Sequence, residues 1–273
     1  MSAELRAMTR NIFKEKIASG KVVSSMTIRL VRSVEIVTIA KSAAFDAIYV
    51  DMEHSSFDFN ETSQICMMAL ASGIAPFVRV PANRPEYIAR VLDGGALGII
   101  APDVRSANEA QAVVAAAKFP KSGTRGFSGS LPHTGFRSFK ASDLAHALND
   151  STMVIVQFES GEAIERADEI ASVEGVDLVL IGTNDLMADL GIAGDFASPL
   201  VENAYRTTID ACSRYGKFAG IGGMSSRPDL VERYIQMGAR YVSTGTDIAF
   251  LLSAATERAR QVADIKCDGI SLA

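Results

Sequence analysis

The sequence predicts a single-domain α/β fold, a (β/α)8 TIM barrel, on three observations. Eight short runs rich in Val and Ile recur along the chain, separated by longer stretches with apolar residues three and four apart. The runs are mostly continuous in apolar character, as parallel strands covered on both faces must be. No GxGxxG turn follows the first run, where an open dinucleotide-binding sheet would carry one, and 273 residues suit the roughly 250 of one barrel.

In chain order, MSAELRAMTRNIFKEKI reads as the start of a charged N-terminal helix over about residues 1–20. The barrel is expected over about 22–265, with all of 1–273 forming one domain. The expected strands are VVSSMTIRL from Val22, DAIYVDM from Asp46, APFVRV from Ala75 and LGIIAP from Leu97. TMVIVQFES from Thr152, DLVLIG from Asp177, FAGIGG from Phe218 and YVSTGT from Tyr241 complete the eight. Stretches such as RPEYIARVLDGG and SANEAQAVVAAAKF carry the helical pattern, and Ser106 followed by Glu109 forms a capping-box signature. One connection breaks the rhythm. PKSGTRGFSGSLPHTGFRSFKAS, rich in Gly, Ser and Pro, is either a surface excursion or a lid over the active site.

Composition narrows the function classes. With 48% hydrophobic and 22% charged residues the chain should fold as an ordinary globular domain. A net charge of −5, with no dense Lys/Arg cluster, argues against nucleic acid as a partner. Cys66, Cys212 and Cys267 are odd in number and form no CxxC pair, so buried thiols in a reducing compartment are expected. No apolar stretch reaches the ~18 residues of a membrane span, and the start lacks the apolar core of a signal peptide, so a cytoplasmic protein is expected.

Barrel chemistry sits at the C-terminal ends of the strands, so the residues there can be named. Strand one ends near Arg29, and strand two in Asp51, Met52, Glu53 and His54. Strand three carries Arg79, strand five Gln157 and Glu159, and strand six runs into Asn184 and Asp185. Glu159 and Asp185 follow neighbouring strands, which lie ~4.8 Å apart, so both carboxylates can reach one cation. An all-oxygen donor set suits a hard ion, Mg2+ or Mn2+, with Co2+ also admitted. The alternative is that both residues only cap the helices that follow.

Arg79 at the mouth must meet an anion, either a substrate carboxylate or enolate oxygen or a neighbouring acidic side chain. Arg29 could do either job. His54 lies among Asp51, Glu53 and Arg79, where imidazole, a residue type that exchanges protons near neutrality, is useful as a base; a structural histidine is the alternative. None of the lysines falls at an expected strand C-terminus, which disfavours imine chemistry and favours Lewis-acid activation. The glycine turns GIGG and STGT after strands seven and eight could hold an anion or be tight turns only.

The segments FDAIYVDMEHSSFD, FVRVPANRPEYIARVLDGGALGIIAPDV, VIVQFESGEAIERADEIASVEGVDLVLIGTNDL and GARYVSTGTD resemble the HpcH/HpaI aldolase family, part of the pyruvate/phosphoenolpyruvate barrel superfamily. The likeness runs from about Val22 to Leu252. It implies a class II, metal-dependent lyase that cleaves a 4-hydroxy-2-oxo acid to pyruvate and an aldehyde. Glu159 and Asp185 would then hold the metal and Arg79 would stabilise the pyruvate enolate. His54 would be the base, acting through a metal-bound water, with Asp93 orienting it and Asp51 among the catalytic residues. Gln157 would lie beside the metal, and backbone N–H groups of Gly182, Thr183 and Asn184 would hold the substrate carboxylate.

The resemblance also implies a hexamer whose paired subunits exchange a C-terminal helix; IAFLLSAATERA is the candidate, although packing on its own barrel fits its pattern too. Three stretches depart from the family pattern: GTNDL lacks a proline after its glycine, SSMTIRL replaces a glycine- and tryptophan-containing strand, and the loop around Arg125 and His133 is distinct. All three are expected near substrate. A different lyase on the same site is the second reading, either an oxaloacetate decarboxylase or an acyl-CoA lyase of the citrate lyase β type. A non-enzymatic binding or regulatory protein is the third.

Overall fold

The computed structural model describes residues 2–265. Eight parallel strands, each paired with the next, close into a barrel. They are β1 (Val23–Ile28), β2 (Ala47–Asp51), β3 (Ala75–Arg79), β4 (Gly98–Ala101), β5 (Met153–Phe158), β6 (Leu178–Gly182), β7 (Phe218–Gly222) and β8 (Tyr241–Thr246). All eight expected runs are strands, each trimmed by up to three residues. The ends of the runs are turn residues or, as at Glu159, side chains already committed to the mouth.

Two helices precede the barrel, α1 (Ala3–Met8) and α2 (Ile12–Ala18), where one was expected. The break comes at Asn11, whose side chain accepts from the Lys14 N–H and so starts a new helix. The outer ring comprises α3 (Glu35–Ser42), α4 (Phe59–Ser72), α5 (Pro85–Asp93), α6 (Ala107–Ala117) and α7 (Ala141–Ser151). It continues with α8 (Gly161–Glu165), α9 (Ala167–Ala171), α10 (Thr183–Asp189), α11 (Pro199–Arg214), α12 (Pro228–Met237) and α13 (Asp247–Ala263).

Side chains alternate along a strand, and this period of two builds the interior in layers. Tyr49, Phe77, Ile155, Leu180 and Tyr241 fill one layer with apolar bulk. Below it α2 seals the N-terminal end of the barrel: buried Phe13 meets Phe77 and Tyr241 edge-on, with ring centroids 4.8 and 5.4 Å away. The open end is therefore the C-terminal one.

Two features depart from expectation. The long connection between α6 and α7 is not a lid. It follows a helix that has run back from the mouth, so it lies at the sealed end, where His133 Nε2 bonds the Ala96 carbonyl at 3.0 Å. The Arg125 and His133 region is consequently remote from the mouth. The final helix, α13, is exposed along nearly its whole length, with Leu251 and Leu252 60% and 65% open to solvent. Cys66 and Cys212 are buried free thiols, whereas Cys267 lies outside the described residues. No helix among the described residues is long and apolar enough to cross a membrane.

Candidate active site

One more layer stands above the apolar one. Two residues beyond Tyr49, Phe77, Ile155 and Leu180 come Asp51, Arg79, Gln157 and Gly182, and two beyond Gln157 comes Glu159. The same alternation that packs the core thus turns these side chains inward at the mouth. Asp51, Arg79, Gln157 and Gly182 line a cavity of about 240 Å³ together with Arg29, His54, Thr183, Asn184 and Asp185.

Asp51 and Arg79 are register partners across β2 and β3 and form a buried bidentate pair. Burial alone would raise the Asp51 pKa, but Arg79, together with the His54 N–H and Arg29, outweighs it and leaves the carboxyl below its ordinary range. Its Oδ1 also accepts the backbone N–H groups of Glu53 and His54, both at 3.2 Å, which shapes the turn carrying the histidine. His54 itself is exposed at the mouth, with Nε2 3.6 Å from Glu53 Oε2. Arg79 Nη1 lies 2.9 Å from Glu53 and 3.9 Å from Glu159.

Glu159 is buried and held at both oxygens. Gln157 Nε2 donates to Oε1 at 2.7 Å, and the Asp103 N–H donates to Oε2 at 2.8 Å. Asp103 takes a left-handed backbone (φ 46°), a conformation Asp tolerates better than most residues. Burial, then the negative charges of Glu53 and Asp185, push the Glu159 pKa up to about 7. Asp185, in the first turn of α10, is therefore close enough to be felt electrostatically, and it is open to the cavity.

This arrangement fits a hard dication. Three carboxylates, those of Glu53, Glu159 and Asp185, repel one another here, and positive charge among them would relieve that repulsion. The buried Gln157 Oε1 has no hydrogen-bond partner among the described residues. Space has also been kept free: a Cβ on Gly182 would lie 2.7 Å from Gln157 Nε2 and 2.9 Å from Glu159 Oε1. Among the described residues no group of three or more His, Cys, Asp or Glu side chains is placed to hold a metal ion.

The other expected site residues divide. Thr183 and Asn184 line the cavity after Gly182, but the Thr183 hydroxyl is turned into the protein, 2.7 Å from Tyr205 Oη and 2.6 Å from the Gly222 carbonyl, so only its backbone can serve a ligand. Asp93 is a correction. It ends α5 at the sealed end of its own barrel and pairs with Arg125 at 2.6 Å, so it does not orient the His54 of the same chain. The sequence reading gave no role to Asp103 or to Glu53. A signal existed for the first, since Pro102-Asp103 directly follows a strand; the second was named at a strand end without a partner.

A family model described as HpcH/HpaI aldolase/citrate lyase matches residues 30–254. A 4-hydroxy-4-methyl-2-oxoglutarate aldolase of Hapsidospora irregularis is 39% identical, covering 94% of this chain and 97% of its own. A 4-hydroxy-2-oxo-heptane-1,7-dioate aldolase of Salmonella arizonae is 33% identical, covering 96% and 98%. The crystal structure of an HpcH/HpaI aldolase from Desulfitobacterium hafniense superposes with a TM-score of 0.85 at 30% identity, covering 94% and 98%.

Proposed function

The chain belongs to the HpcH/HpaI aldolase/citrate lyase family, and from that membership and the mouth of its barrel we propose that it cleaves a 4-hydroxy-2-oxo acid to pyruvate and an aldehyde. The observation that carries this reading is a set of mutually repelling carboxylates, buried Glu159 with half-buried Glu53 and exposed Asp185, beside the buried Arg79 at the end of the barrel where such folds do chemistry. Glu159 and Asp185 hold a divalent cation, Mg2+ or Mn2+, with Gln157 beside it. Such an ion supplies Lewis acidity toward a keto acid's oxygens. The backbone N–H groups of Gly182, Thr183 and Asn184 receive the substrate carboxylate.

His54 takes the proton of the C4 hydroxyl. The electrons of that O–H bond become the second C–O bond of the aldehyde, and the C3–C4 pair stays on C3. Arg79, protonated and held in place by Asp51, faces the enolate oxygen so formed. The proton then returns to C3 and completes pyruvate. Asp51 acts by positioning Arg79 and the His54 turn.

A second copy of the chain completes the fold. The uncovered apolar residues of α13 and a groove of about 510 Å³, with Met224, Val231, Ile235 and Val242 in its wall, support exchange of this helix between paired subunits. The family resemblance extends this to a hexamer.

The enzymatic reading is tested on purified protein stripped with a chelator. Pyruvate release from 4-hydroxy-2-oxo acids should vanish and return with Mg2+ or Mn2+. Activity indifferent to metal would overturn the metal role, and carbon dioxide release from oxaloacetate with no aldol cleavage would move the assignment to a decarboxylase. Assaying acyl-CoA substrates in parallel tests the citrate lyase β alternative.

A further inference from the structure

Hydroxyl groups inside the barrel pair with one another below the mouth. Ser25 Oγ lies 2.8 Å from Tyr241 Oη, and Thr27 Oγ1 lies 3.0 Å from Ser243 Oγ. Tyr49 departs from this pattern. It faces inward from β2, in register with Thr27 on β1 and Phe77 on β3. The residue is only 4% exposed, yet its hydroxyl makes no hydrogen bond to any described residue. Nor is that hydroxyl sealed in by protein, because Tyr49 forms part of the floor of the mouth cavity.

A buried polar group without a partner costs stability. Phe77, one strand along, fills the same layer with a ring that carries no hydroxyl, so packing does not call for the phenol oxygen of Tyr49. The fold gives that oxygen nothing to bind. Its partner comes from the cavity.

Arg79 fixes where that partner lies. Its guanidinium carbon is 5.6 Å from the centre of the Tyr49 ring, and the two groups act on each other electrostatically. Asp51 takes Nε and Nη2 of Arg79, and Glu53 lies 2.9 Å from Nη1, so much of the guanidinium is already committed to carboxylates. A substrate oxygen that faces Arg79 therefore meets Tyr49 as well, a neutral O–H from the floor beside a cation from the wall. Burial pushes the phenol pKa well above its ordinary range, against the opposing pull of Arg79, so the group keeps its proton and donates. In the proposed reaction the oxygen facing Arg79 is the one on C2, which becomes an enolate when C3–C4 breaks. A donor already in place against that developing charge lowers the barrier more than it tightens substrate binding.

We propose that Tyr49 is a catalytic residue whose hydroxyl donates a hydrogen bond to the C2 oxygen of the substrate beside Arg79, a bond that strengthens as this oxygen becomes an enolate. This rests on the aldolase reading above. Tyr49 keeps its proton throughout. C3–C4 breaks, the C4 hydroxyl proton passes through His54 to C3, and no bond to the phenol oxygen is made or broken.

Tyr49→Phe removes the O–H and keeps the ring. In protein supplied with Mg2+, the test follows cleavage of 4-hydroxy-2-oxopentanoate, exchange of the pyruvate methyl protons for deuterium by NMR, and the urea midpoint. Both enolate reactions should slow roughly 100-fold, the lower end of what one lost oxyanion donor costs, with KM within about threefold. The urea midpoint should hold or rise, since the fold loses no hydrogen bond. Both reactions at the wild-type rate overturn the proposal. Slowed cleavage with unchanged exchange overturns it too, because the hydroxyl would then serve the aldehyde fragment. So does a slowed variant whose urea midpoint falls, which would make the phenol part of the packing. Wild type that neither exchanges pyruvate's methyl protons nor cleaves the substrate sinks the aldolase reading itself, and this inference with it.

Discussion

Arg79 grips Asp51 through two parallel bonds, Nε to Oδ1 at 2.9 Å and Nη2 to Oδ2 at 2.7 Å, across adjacent strands. Both side chains are buried, so removing either partner strands a charge in the barrel. Arg79→Met should lower the unfolding free energy by about 3–5 kcal/mol, read from urea denaturation. Asp51→Asn keeps the shape and loses the charge. It should cost less stability but lower kcat, because Arg79 and the His54 turn lose the group that aims them.

Glu159 ties pH to stability. Its pKa stands near 7 in the fold against 4.5 without it, raised by burial and by Glu53 and Asp185. Below pH 4.5 both states are protonated and nothing is lost. As pH rises from 4.5 to 7 the unfolded chain releases the proton first, so metal-free protein should lose up to about 3 kcal/mol across that window. Glu159→Gln should flatten this slope in chelator-treated protein. Mn2+ at pH 8 should raise the melting temperature of wild type and leave the variant unmoved.

Gly182 keeps the mouth open beside Gln157 and Glu159, since an added Cβ would press on both within 3 Å. Gly182→Ala should therefore displace the Glu159 carboxylate. The expected result is a 10- to 100-fold weaker apparent Mg2+ affinity, roughly what a lost supporting contact costs a metal site. Titration calorimetry checks it, with circular dichroism showing the fold retained.

At the opposite end, burial pushes the His133 pKa from 6.5 down to about 4. Its stabilising effect is complete above pH 6.5 and is lost as pH falls toward 4, because only the unfolded chain accepts the proton in that range. The loss should reach about 3 kcal/mol. His133→Gln, which can still donate toward the Ala96 carbonyl, should be less stable at pH 7 yet show a shallower decline between pH 6.5 and 4 in urea denaturation.

The proposed exchange of α13 makes a separate demand. Leu251→Asp paired with Leu252→Asp should yield smaller particles in sedimentation velocity, with the barrel's circular dichroism unchanged. A protein that keeps its mass on these substitutions would show that this helix covers nothing in a partner.

The sequence alone determined the barrel, because a strand buried on both faces must be written as an uninterrupted apolar run, and eight such runs leave few other folds. It also named the chemistry-bearing ends, since a charge that directly follows such a run has no apolar reason to be there. Distance in the chain, however, does not report which end of the barrel a helix terminus reaches. Asp93 and the connection holding Arg125 and His133 went to the sealed end because α5 and α6 run antiparallel to the strands. Nor does a list of strand ends reveal that Asp51 and Arg79 share a register position, that a left-handed Asp103 offers its N–H to Glu159, or that the fold leaves the Tyr49 hydroxyl without a partner. Those are decided by how the strands are staggered around the ring, a property of closure that no single strand carries.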